Sequence, residues 1–83
     1  MIQEIEDKIL TLTAARGSSK TICPSEVARA LSDEWRPLMP LVRQVAGSLA
    51  EKGKIIATQK GQQVDPQLAI GPIRLGLPVQ AHF

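Results

Sequence analysis

Residues 36–53, RPLMPLVRQVAGSLAEKG, decide how the rest of the chain is read. Leu38, Leu41, Val42, Val45 and Leu49 recur at steps of three and four, which places them on one apolar face of an α-helix. Pro37 and Pro40 fall in its first turn, where amide protons have no intrahelical acceptor and a proline forfeits little. Gly53, after Glu51-Lys52, is a C-terminal stop. The opposite face carries Arg36, Met39, Arg43, Gln44, Gly47 and Ser48, a thin polar stripe with two guanidinium groups and a small-residue patch. Behind this helix come a short strand pattern over 54–59, a glycine loop, and a second apolar run from Ile70 to Leu75.

Upstream, Ile2, Ile5, Ile9 and Leu12 form another helical stripe, and Glu4, Glu6 and Asp7 in the first turns suit the positive end of the helix dipole. Arg16-Gly17 closes that helix, Gly17-Ser18-Ser19 turns, and Lys20-Thr21-Ile22 is short and β-prone. In CPSEVARALSDEW, Pro24 suits the first helical position and Cys23 the cap. Glu26, three residues on, can reach back to the cap amide as half of a capping box. Val27, Ala28 and Leu31 face inward from a short second helix, and residues 33–36 turn into the third. Two helices joined by a short turn, the second longer and more basic, make a helix-turn-helix.

After Gly53, residues 55–58 form a strand, 60–63 its exit, and Val64-Asp65-Pro66 a rigid turn. Ile70, Ile73 and Leu75 resume the apolar pattern, with Gly71-Pro72 where the last strand begins. The expected fold is α+β, mostly α: a winged helix-turn-helix of three helices with a small antiparallel β-sheet wing. Helices are expected near 2–15, 24–33 and 37–52, and strands near 20–22, 54–59 and 71–76. Residues 1–76 are read as one winged-helix domain and 77–83 as a C-terminal tail.

Composition narrows the class. Eighty-three residues supply one core, and 43% hydrophobic with 22% charged residues suits a globular chain. One Trp, one Phe and no Tyr make that core aliphatic. Cys23 is the single cysteine, which excludes an intramolecular disulfide and a cysteine-rich zinc site. Apolar runs are too short to span a bilayer and the acidic start MIQEIEDK is unlike a signal peptide, so a cytoplasmic location and no membrane partner are expected. Charge is asymmetric: residues 1–34 hold six acids against four bases, whereas 35–83 hold six bases against two acids.

The segments CPSEVAR, WRPLMPLVR and GPIRLG together resemble a small bacterial winged-helix family of unknown function, over roughly residues 2–76. The resemblance implies the fold and a bacterial origin and carries no activity or site residues.

Two functional readings stand. In the first, a DNA-binding and regulatory one, the exposed start of the third helix enters the major groove, presenting Arg36, Arg43 and Gln44 to base edges. Lys60, Gln62 and Gln63 on the wing, and Lys20 before the second helix, then meet phosphate. In the second, the domain is a protein-interaction module or homodimer that uses the tail 77–83 or the Met39/Gly47 face. Trp35 reads as a packing anchor at the helix-turn-helix corner, with base stacking as its alternative. Arg74, flanked by Ile73 and Leu75, points away from the core. It reads either as an ion pair with Asp65 or an acid of the second helix, or as a phosphate clamp. Cys23 reads as a half-buried cap or as a reactive thiol. His82 has no partner at catalytic spacing, and HExxH, CxxC and phosphate-loop motifs are missing, so neither an enzyme nor a metal or cofactor is expected.

Overall fold

A computed structural model describes residues 1–78 and shows three helices packed against a four-stranded antiparallel sheet, in a winged-helix-like arrangement. The helices are α1 (Ile2–Arg16), α2 (Pro24–Leu31) and α3 (Met39–Glu51); a 3-10 turn, Arg36–Leu38, leads into α3. The strands are β1 (Thr21–Ile22), β2 (Ile56–Gln59), β3 (Gln62–Gln63) and β4 (Arg74–Gly76), in the order β1-β4-β2-β3. The two prolines thus fall at a junction: Pro37 lies in a 3-10 turn whose Leu38 amide bonds the Trp35 carbonyl, and Pro40 opens the α-helix proper.

The expected aliphatic core is present and is shared by every layer. Ile5 and Ile9 of α1, Val27 and Ala28 of α2, and Val42, Val45, Ala46 and Leu49 of α3 meet Ile22, Ile55, Ala57, Ile73 and Leu75 from the sheet. Four details depart from the periodic reading. Ile2 is 56% exposed, and Thr13 takes a buried place instead, four residues beyond Ile9. Thr13 is tolerated there because its Oγ1 donates to the Ile9 carbonyl at 2.8 Å, so no polar group is left unpaired. Leu41, Leu38 and Leu12 are only half-buried, at the rim.

The third departure is an extra strand. Residues 60–63 are not a simple strand exit: Lys60 and Gly61, with φ of 52° and 80°, close a two-residue hairpin in which Gln59 pairs Gln62. Two successive positive φ values are the signature of the hairpin turn whose twist matches its strands. Lysine seldom occupies its first position, where asparagine or glycine is easier, and that hid the hairpin from the sequence. The predicted entry of Ile70 into the apolar pattern also fails. Ile70 lies in the loop before β4 and is 92% exposed.

Candidate nucleic-acid interface

The exposed surface of α3 is short and free of acids over most of its length. Arg36, Pro40 and Gln44, at four-residue steps, are all exposed, and the next exposed residue of the row is Glu51 near the helix end. The α3 surface beside this row is covered by the loop 64–72, which together with the β2–β3 hairpin forms the wing. The loop folds on itself first: the Asp65 carboxylate accepts the Gln67 amide at 2.8 Å, and the Asp65 carbonyl accepts those of Leu68 and Ala69. That is the turn expected at Asp65-Pro66, with the aspartate acting on backbone amides.

Two side chains then fasten the loop. Arg43 donates to the Ala69 carbonyl at 2.7 Å and to that of Gly71 at 2.5 Å, with a longer approach to Pro66 at 3.5 Å. From the opposite side Gln59 donates to the carbonyls of Ile70 at 2.6 Å and Pro72 at 3.1 Å. Loop carbonyls that no strand can pair need donors, and a planar guanidinium with five N–H groups supplies several at once. Arg43 is therefore half-buried and engaged, not displayed like Arg36. Gly47 is likewise covered. The Gln67 side chain lies across it, so close that a Cβ there would meet Gln67 Cγ at 2.8 Å, and the small-residue patch expected to be an open face is occupied.

Of the residues expected to touch nucleic acid, the fold gathers Arg36 in the 3-10 turn and Gln44 on α3, with Lys60, Gln62 and Gln63 exposed on the adjoining wing. Lys60 and Gln62 help line an open groove of about 670 Å³ with Gln59, Val64, Ile70 and Pro72. Lys20 is exposed but precedes β1, on the edge of the sheet opposite the hairpin, so it does not join this surface.

At the turn between α2 and α3 lies a group the periodic reading passed over. Trp35 packs against the core rim as expected, and the guanidinium carbons of Arg29 and Arg36 lie 4.4 Å and 4.5 Å from its ring centroid. Helical spacing does not tie Arg29, on α2, to Trp35, which lies beyond the end of that helix. A signal was present nonetheless: two arginines flank the single tryptophan across one short turn.

Behind the sheet, Arg74 reaches Thr21 on β1, its Nε to Oγ1 at 2.9 Å and an NH2 group to the carbonyl at 3.1 Å. Neither expected ion pair is formed: Asp65 serves its own turn, and the acid of the second helix, Glu26, is paired with Arg16 and not with Arg74. The acid of this region, Glu26, pairs with Arg16 at 2.6 Å and accepts the Cys23 amide at 2.7 Å, the capping interaction read from the sequence. The Cys23 amide, and after it Arg16, hold the Glu26 carboxyl below the ordinary carboxylate range. The Cys23 thiol is half-buried and accepts a hydrogen bond from Ser25 Oγ at 3.1 Å. The tail 79–83, including His82, lies outside the described residues. Among the described residues no group of three metal-ligating side chains converges, and no helix is long and apolar enough to cross a membrane.

The fold and this surface define a small winged-helix-like α+β protein with a basic, acid-poor start to its third helix. Residues 2–78 match the family described as a protein of unknown function (DUF3253), and the chain belongs to that family. No match was found among curated proteins.

Proposed function

We propose that this protein binds double-stranded DNA, with the exposed row Arg36–Pro40–Gln44, from the 3-10 turn into α3, in the major groove and the β2–β3 hairpin against the backbone. The observation that carries the reading is that row, which holds an arginine and a glutamine, the side chains suited to guanine and adenine edges, and no acid before Glu51. The hairpin tip supports it. Lys60 sits at this exposed tip in a left-handed conformation that asparagine or glycine would adopt more easily, and the turn thereby presents a basic side chain where the DNA backbone would pass. Gln62 and Gln63 extend the polar surface beside it. Arg43, which the sequence offered as a base reader, is assigned to holding the wing loop.

The test is a fluorescence titration with mixed-sequence duplex at low and then moderate salt. Affinity is expected to fall with a slope of about −0.9 per phosphate contacted. The double substitution Arg36→Glu, Lys60→Glu should abolish binding while leaving the melting temperature nearly unchanged, since both side chains are exposed. Absence of binding at low salt by the parent protein overturns the reading.

A second reading, a protein-interaction module, is favoured by one observation. Leu68 and Ile70 are 78% and 92% exposed on a loop whose backbone is pinned by Arg43 and Gln59. Exposed aliphatic side chains on a fixed loop suit a protein partner or a second copy. Sedimentation of the parent against Leu68→Ser, Ile70→Ser checks it, with loss of association in the variant expected.

A further inference from the structure

We propose that Arg29, Trp35 and Arg36 form a phosphodiester-binding clamp at the turn between α2 and α3. The inference deepens the DNA-binding reading and rests on it. Both guanidinium carbons lie within 4.5 Å of the centroid of one indole, and that indole is itself anchored in the core rim. Stacking restrains the position of each guanidinium and uses its flat face, leaving the N–H donors around its edge free.

Those edges have no carboxylate partner. Among the described residues neither Arg29 nor Arg36 has an acid within 4.0 Å, although Asp33 and Glu34 lie in the same turn. The turn has its own hydrogen bond, from the Glu34 amide to Ser32 Oγ. Elsewhere in the molecule arginines are engaged: Arg16 by Glu26 and Thr21, Arg43 by loop carbonyls, Arg74 by Thr21. Two exposed guanidinium groups, both held on one indole and neither paired with an acid, are suited to the acceptor oxygens of the sugar–phosphate backbone. With α3 in the major groove, the corner that precedes it is where the helix-turn-helix meets the sugar–phosphate backbone. Arg36, at the junction, gives one N–H edge to the phosphate and keeps its remaining donors for a base edge, Arg29 touches backbone only, and Trp35 acts as a support for both rather than as a base-stacking platform.

The test measures anisotropy of a labelled mixed-sequence duplex against parent, Arg29→Gln and Arg29→Lys across a range of salt, with thermal melts of each. Arg29→Gln is expected to make the salt slope shallower by about 0.9 and to weaken binding roughly tenfold near 50 mM salt, uniformly across sequences. Arg29→Lys is expected to restore the slope but not the full affinity, because an ammonium keeps the charge and loses the stacked fork. Melting temperatures should match the parent, as Arg29 is exposed. Binding by the parent with an unchanged slope in Arg29→Gln overturns the clamp and leaves the DNA reading standing. Absence of binding by the parent overturns both. A poly-glutamate peptide that binds as tightly as duplex, and equally depends on Arg29, overturns the phosphate assignment in favour of an acidic protein partner.

Discussion

Arg36 and Arg43 stand seven residues apart on one helical segment, and their surroundings give them opposite duties. Around Arg43 runs a loop whose carbonyls have no strand to pair with, and its guanidinium bonds those of Ala69 and Gly71. Around Arg36 there is a tryptophan ring and solvent, so its guanidinium stacks and keeps its donors free. The availability of a basic side chain therefore depends on whether nearby backbone acceptors are already satisfied, and helix position alone does not reveal it. The same difference separates the wing loop, which depends on two polar side chains, from the helix-turn-helix corner, which rests on the core.

The most severe way to disturb both regions is through the core they share. Leu49→Ala should destabilise the protein by about 2–5 kcal/mol, and Leu41→Ala by clearly less, because Leu49 is fully buried and Leu41 only half-buried. Equal denaturant midpoints for the two variants would contradict this ranking.

Arg43→Met removes the donors to the loop carbonyls while keeping an apolar stem. The expected loss is about 1–3 kcal/mol, with faster amide exchange confined to 64–72 and unchanged protection in α1. By the same reasoning a duplex-binding defect in an Arg43 variant is ambiguous, since the wing itself is disturbed. Arg29 and Arg36 variants lack that ambiguity and should melt within about 0.5 kcal/mol of the parent.

Glu26 provides a pH-dependent contrast. Its carboxyl is held below its usual range by the Cys23 amide and by Arg16, so it binds its proton more readily in the unfolded chain than in the folded one. Its contribution is thus present above the ordinary carboxylate range and lost as pH falls through the lowered folded value. The side chain is 37% exposed, so the effect is modest. Glu26→Gln should lower stability by about 0.3–1.5 kcal/mol at neutral pH and flatten the acid limb of a melting-temperature profile. A profile identical to the parent's would remove Glu26 from that role.

One small effect has the opposite sign. Lys60→Asn relieves the left-handed strain at the hairpin tip and should raise stability by about 0.5–1 kcal/mol, while weakening duplex binding. A variant that gains stability and keeps full binding would show that the lysine is only an uneconomical turn residue.

Local chemistry was legible from the residues alone. Helix periodicity, the proline that opens α3, the Cys23–Glu26 cap and most of the aliphatic core follow from neighbours close in sequence, where spacing fixes who meets whom. The sheet order, the β3 strand, the exposure of Ile70, the loop-holding duty of Arg43 and the stacking of Arg29 on Trp35 were decided by tertiary structure. Apart from the β3 hairpin, hidden by the lysine at its tip, each depends on groups from different elements, and a guanidinium answers to whichever acceptors or rings the fold brings within reach. The chain by itself determined where its helices lie and most of its core. Only the fold decided which of its arginines hold the molecule together and which are left to meet something else.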